Sequence, residues 1–147
     1  MQMQDTSGVH VWLVLGKAFR ALATRAEESL NLSRTGLGNS EFRVLEVLLH
    51  RGPLPVNTIG PKVWLTPGSI SVAVDRLEKK ALVKRKNAED RRVRLVELTA
   101  KGRAVITKNF REHAAAMEEA ARVLSTEERL MLLRLLKKLG KGGDDGS

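Results

Sequence analysis

Cysteine is absent from the 147 residues, and its absence removes disulfides, thiolate zinc sites, cysteine nucleophiles and thiol redox sensing together. Tyrosine is absent too, and the remaining aromatics are two Trp and three Phe. The stacking platforms that RNA and single-stranded nucleic acids need are therefore nearly missing. No long apolar run occurs. The stretch from Val9 to Leu15 is interrupted by His10, falls far short of the ~18 apolar residues of a membrane span, and is followed by no small-residue cleavage site. A cytoplasmic protein is expected. His10, His50 and His113 are scattered along the chain, without metal-ligand spacing, a Gly-rich phosphate loop or a serine elbow. The expectation is a protein that is not an enzyme and carries no metal or organic cofactor. A chain of this length holds one modest core rather than two catalytic domains.

What the chain has in excess is positive charge, and that charge is concentrated. Of the net +9, +7 lies between Lys62 and Arg103, where 12 Lys/Arg stand against 5 Asp/Glu; residues 1–61 and 104–147 contribute +1 each. A solvated charged surface has no reason to be confined in this way, whereas a phosphate-binding face has. Duplex DNA is the partner that fits.

The same segment carries the clearest structural signals. Thr66-Pro67 is a helix start, a hydroxyl N-cap followed by proline at the first helical position. Ile70, Val74 and Leu77 recur at four and three residues and form the buried stripe. Pro67, Gly68, Ser69, Ser71, Val72, Asp75, Arg76 and Lys79 are left facing outward. Small residues at the N-terminal end allow the close approach that a helix in the major groove requires. Leu82 and Val83 begin a strand through Lys84, Arg85 and Lys86, Asn87 to Arg91 turn, and Val93 and Leu95 alternate with Arg92 and Arg94 in a second strand. A groove-sized helix followed by a hairpin with arginines at its tip is a winged helix-turn-helix. The candidate DNA contacts are Thr66, Pro67, Gly68, Ser69, Ser71, Arg76 and Lys79 on the helix, with Arg85, Lys86, Asp90, Arg91 and Arg92 on the wing. Arg92 is expected in the minor groove, with Asp90 and Arg91 shaping and flanking the tip. Ser69, Ser71 and Arg76 are expected at bases or nearby phosphates, the alternative for Arg76 being an ion pair on the helix surface.

The flanking segments read as helices. Trp12, Leu15, Phe19, Leu22 and Ala26 form one stripe, and Val11, Val14 and Ala18 a second beside it. Asn31 to Asn39 reads as a loop. Ser40 is the expected N-cap of the next helix, with Glu41 in its first turn, Phe42, Leu45, Leu48 and Leu49 buried, and Gly52-Pro53 as the stop. Asn57 is the expected cap of a short helix that holds Gly60 and Pro61 in about its first turn. Beyond the hairpin, Thr99 caps a long helix marked by Ile106, Phe110, His113, Met117, Ala121 and Leu124. Ser125 and Glu128 then form a capping box before a leucine-rich helix. The first and last helices hold more apolar surface than one small domain can cover, which implies a partner chain. Lys141 to Ser147 is expected to be a disordered tail.

In order and spacing these pieces resemble the MarR (multiple antibiotic resistance regulator) family of bacterial transcription factors over nearly the whole chain. The resemblance rests most on Asp90-Arg91-Arg92 with Leu98-Thr99 and Gly102. It rests next on Asp75-Arg76-Leu77-Glu78-Lys79-Lys80 with Leu82-Val83 and Arg85, and more loosely on Ser40-Glu41-Phe42 and Leu45. The resemblance implies a mainly α protein with a small β-hairpin wing, a single domain over 1–147. Within it, 36–99 would form the DNA-binding lobe and 6–32 and 100–140 the dimerisation helices. It implies a homodimeric, ligand-responsive repressor of a pseudo-palindromic operator, with an effector cleft between the two lobes. A small aromatic or phenolic effector is expected there, lined by Trp12, Phe19, His50, Trp64 and His113. The alternative places Trp12 and Phe19 in the dimer interface and Trp64 as filler between the short helix and the recognition helix. The sequence departs from the family pattern at two places. Ser71-Val72 stand where many members carry threonine and arginine, and Ala81 stands where glycine is common. A competing function is a nucleoid-type protein that binds DNA without sequence preference, distinguished by the ratio of its affinities for operator and random duplex.

Overall fold

The computed structural model describes residues 5–32 and 34–141. Six helices and three short strands follow the order α1 (Gly8–Leu32), α2 (Asn39–Arg51), β1 (Leu54–Pro55), α3 (Val56–Val63), α4 (Pro67–Lys79), β2 (Val83–Asn87), β3 (Arg94–Leu98), α5 (Ala100–Ala121) and α6 (Thr126–Lys141). The strands form one antiparallel sheet in the order β1-β3-β2, with Arg85 opposite Val96 and Leu54 opposite the same residue on the other edge. Lys141, expected in a disordered tail, closes α6; the rest of that expected tail lies outside the described residues. Among the described residues no helix is long and apolar enough to cross a membrane.

The core is built by α2, α3, α4, the sheet and the first half of α5. Phe42, Val44, Leu45 and Leu48 of α2 meet Ile59 and Val63 of α3, Ile70, Val74 and Leu77 of α4, Val83 and Val96 of the sheet, and Ile106 of α5. Among the described side chains Leu30 is the one of α1 that joins this cluster, and α6 contributes none. The core thus centres on the winged helix and reaches into α5, with Leu30 of α1 at its edge and α6 outside it.

Several sequence expectations change: α5 ends at Ala121, short of Leu124, and β3 starts at Arg94, leaving Arg92 and Val93 in the turn. The N-cap of α2 is Gly38 rather than Ser40, which sits one residue inside the helix. Glu41 reaches back to accept from the Gly38 amide at 3.4 Å and is fixed there by Lys80 Nζ at 2.7 Å. That partner is remote in sequence and overrides the hydroxyl preference. Asn57 does not cap α3. Leu54 and Pro55 pair with β3 and deliver the chain into a helix whose N-cap is Pro55, which moves Pro61 into the second turn. The carbonyl left without a donor there is that of solvent-exposed Asn57. Finally, α1 continues through Leu32 into the expected loop.

At the far end of α4 the chain is clamped to α5. Ala81 adopts a left-handed backbone at φ 59°, the conformation that glycine would take without strain. Thr99 closes the joint by donating its amide to the Leu82 carbonyl at 3.1 Å and its hydroxyl to the Ala81 carbonyl at 2.6 Å, while accepting from the Gly102 amide at 2.9 Å. Gly102 lies so close to Leu82 that a Cβ built on it would run into the Leu82 carbonyl oxygen. The close approach, not a turn, is what requires glycine there.

Candidate nucleic-acid interface

Thr66 and Pro67 start α4 as the sequence implies. The Thr66 hydroxyl accepts from the Ser69 amide at 3.2 Å and donates to the Ser69 hydroxyl at 3.0 Å, so both side chains are pre-oriented at the exposed N-terminal end. Thr66, Pro67, Gly68, Ser69, Ser71, Arg76 and Lys79 are all exposed. Among them Thr66, Gly68, Ser69 and Arg76 share a groove with Val72, Lys80 and the first residues of α2. No ion pair engages Arg76 among the described residues, so its guanidinium is available to an outside acceptor. Val72, expected to face outward but not among the candidate DNA contacts, is 49% exposed on this face. Helical spacing puts it in one stripe with Gly68, Asp75 and Lys79.

The wing divides its cations into two sets. Arg91, Arg92 and Arg94 are exposed at and beside the tip and take part in no ion pair among the described residues. The tip itself is folded locally: Asp90 accepts from the Arg92 amide at 3.1 Å through its carboxylate, and its carbonyl accepts from the Val93 amide at 2.9 Å. Arg85 and Lys86 belong to the other set. Arg85 is only 22% exposed and donates to Glu78 at 2.8 Å and Asp75 at 2.9 Å, tying β2 to the solvent side of α4. Lys86 and Lys84 converge on Glu97 of the neighbouring strand at 2.8 and 3.4 Å. Hydrogen bonding from Lys86, then Lys84, holds the Glu97 carboxyl below the usual carboxylate range against the desolvation that raises it.

The five residues expected around an effector do not form one site. Phe19 and His113 line a cavity of about 220 Å³ between α1, α2 and α5, walled by Leu22, Phe42 and Met117. The rings of Phe42 and His113 lie 5.0 Å apart, and His113 Nδ1 is buried without a hydrogen-bond partner among the described residues. His50 and Trp64 line a different cavity between α2 and α3. His50 also packs edge-on against Phe110 at 4.9 Å. Trp12 lines neither cavity and is 73% exposed on α1.

A three-stranded wing behind an exposed helix, with arginines at its tip, defines a winged-helix DNA-binding regulator. A sequence profile of the MarR family matches residues 37–93. The chain is 39% identical over 131 residues to the HTH-type transcriptional regulator MhqR of Bacillus subtilis, covering 88% of this chain and 89% of that protein. Among solved structures it is similar to NadR in complex with 4-hydroxyphenylacetate, with a TM-score of 0.77, 26% identity, and 91% and 97% of the two chains covered. It shares its fold with Sco3205 of Streptomyces coelicolor, a MarR family regulator solved in complex with DNA, at a TM-score of 0.81, 23% identity and coverage of 97% and 91%. The chain belongs to the MarR family. It is a DNA-binding regulator of transcription rather than an enzyme.

Proposed function

We propose that the protein is a ligand-responsive repressor that binds a pseudo-palindromic operator as a homodimer. The observation that carries the reading is the apolar surface of the end helices. No side chain of α6 is buried, and Leu130, Leu132, Leu133, Leu135, Leu136 and Leu139 are exposed along it, while α1 exposes Trp12, Leu13, Val14 and Phe19. Contiguous apolar surface on this scale is characteristic of an interface between chains. A two-fold axis through it relates two α4 helices, which then address half-sites about one helical turn, roughly 10 bp, apart.

On each half-site α4 enters the major groove with Ser69, Ser71 and Arg76 at bases or phosphates. Val72 lies on the leading face, where its methyls suit a thymine methyl. Arg92 enters the minor groove, flanked by Arg91. The effector is a small phenolic or other aromatic compound in the cavity of Phe19 and His113. Three features support it: a volume suited to one ring, a lining of aromatic and aliphatic groups with the unpartnered His113 nitrogen among them, and the aromatic ligand bound by NadR. Because α1 belongs to the end-helix region and α2 to the lobe, a ligand between them biases the spacing of the two lobes. Tenfold release from DNA requires about 1.4 kcal/mol of differential affinity for the two spacings.

The test is footprinting on genomic fragments at fixed salt, combined with sedimentation and a titration of phenols. Inverted symmetry in the protected site, a dimer at micromolar concentration, and release by a phenol that Phe19→Ala abolishes are expected. An operator-to-random affinity ratio near one, or a folded monomer, overturns the reading.

A further inference from the structure

Arg76 and Lys80 lie one turn apart and border the same groove, but the two cations have different fates. Arg76 is in no ion pair among the described residues. Lys80 donates to Glu41 of α2 at 2.7 Å and to the Gly36 carbonyl at 3.2 Å, so two of its three ammonium protons are spent inside the protein. Glu41 is an acid at only 5% exposure, a placement whose desolvation cost an ion pair seldom returns as stability. A directional role accounts for it better. Ile70, Ala73, Val74 and Leu77 bury the inner face of α4, but apolar attraction is non-directional, whereas charge-assisted hydrogen bonds fix distance and angle. The polar contacts at this end of α4 close a ring. Lys80 ties the helix end to the connection between α1 and α2, and Asn109, buried in α5, donates to Thr35 of that connection at 3.1 Å. Lys101 of α5 then donates to the Lys80 carbonyl at 3.2 Å, satisfying one of the carbonyls a helix leaves open at its end. The Lys80 amide donates to the Arg76 carbonyl at 3.1 Å, so what holds Lys80 also holds the turn that carries Arg76.

We propose that Lys80 and Glu41 are positioning residues for operator recognition, an ion pair that sets α4 against α2 and α5 so that Ser69, Ser71 and Arg76 meet their bases. The proposal rests on the reading of α4 as the groove helix, and it is independent of the effector. Lys80 acts through Arg76 and its neighbours rather than on a phosphate. The pair carries one charge of each sign, so replacing both residues by neutral ones leaves the net attraction to DNA as it was.

The test compares affinities for a duplex that the parent protein selects from a random library and for a scrambled duplex of the same composition, over a range of salt. Lys80→Met leaves the Glu41 carboxylate buried without its cation, so its melting temperature should fall. Adding Glu41→Gln removes that charge and keeps an oxygen for the Gly38 amide, so the melting temperature should return to that of the parent. The selected-to-scrambled ratio should nevertheless stay roughly tenfold or more below the parent's, because displaced side chains lose their bases. Scrambled affinity and salt slope should not change. Lys80→Arg has donors for both acceptors and room on its exposed flank, and should keep the parent ratio. A double variant that regains its melting temperature and also keeps the parent ratio overturns the proposal. So does one that stays as unstable as Lys80→Met, which would make the pair a stability element. A salt slope lower by about one unit per protomer would make Lys80 a phosphate contact and overturn it too. Ser69→Ala/Ser71→Ala/Arg76→Ala separates this role from the reading beneath it. Loss of preference there, with the double variant unaffected, rejects the positioning role alone; preference retained there removes α4 as the groove helix and the positioning role with it.

Discussion

Two residues of the joint between α4 and α5 are placed against opposite constraints, and each makes a prediction. Ala81 has a backbone that wants glycine and no neighbour that needs its methyl, so Ala81→Gly should stabilise the fold by about 0.5–1 kcal/mol as the strain is released. Gly102 has an ordinary helical backbone but no room for a methyl against Leu82, so Gly102→Ala should destabilise by about 1–3 kcal/mol through overpacking. Urea titrations of the two variants should move their midpoints in opposite directions from the parent. Equal shifts would mean that neither the left-handed backbone nor the close approach is what the residue answers to. The contrast also marks what one chain's letters can reveal. The Thr66-Pro67 start and the Thr99 cap are local, and both were legible. The Gly102 constraint depends on Leu82 arriving from another element, so it was visible only as part of a family pattern.

The wing separates charge that faces outward from charge that shapes the element, and salt titration tells the two apart. Arg92 is free at the tip, so Arg92→Ala should weaken binding to every operator variant and flatten the dependence of log K on log salt by about one unit per wing. Arg85 is occupied by Asp75 and Glu78. Arg85→Ala should therefore lower affinity by loosening β2 from α4 with little change in salt slope. A double-mutant cycle with Asp75→Ala should return a coupling of only about 0.5–1 kcal/mol, because both acids are largely exposed. A slope change equal to that of Arg92→Ala would make Arg85 a phosphate contact after all. Acid should act on the same element through Glu97. Its folded pKa is depressed, so its contribution to stability is present above the ordinary value near 4.5 and is lost as pH falls through the lower folded value. Amide exchange across β2 and β3 should accelerate in that window, and Glu97→Gln should remove the effect. The hairpin itself was readable from alternation and from the Asp90 turn. The strand β1 was not, because two residues paired only with distant β3 leave no periodicity, and the helix cap moved from Asn57 to Pro55 as a result. The effector residues were separable only in three dimensions, since a ring on α2 or α3 carries no mark of which cavity it will line.

At the scale of the molecule, the winged helix holds most of the buried apolar side chains while the end helices hold few. The buried cluster draws on α2 through α5 and, among the described side chains, receives Leu30 alone from α1. Helices that expose their apolar faces are marginal in water when isolated, and their stability comes from packing. In the proposed dimer, order in α1 and α6 is linked to association, so the melting temperature should rise with protein concentration. Leu132→Glu combined with Leu135→Glu places two carboxylates on the exposed leucine surface of α6 without touching the lobe core. The variant should sediment as a monomer and lose far-UV helicity corresponding to the end helices, yet keep the dispersed methyl resonances of a packed winged lobe. Its operator affinity should drop by at least a hundredfold, because the second half-site is no longer bound intramolecularly at high effective concentration. Affinity for a single half-site should stay within a few-fold of the parent. A variant that stays dimeric would move the interface elsewhere, and one that unfolds throughout would show that the lobe core cannot stand without its partner chain.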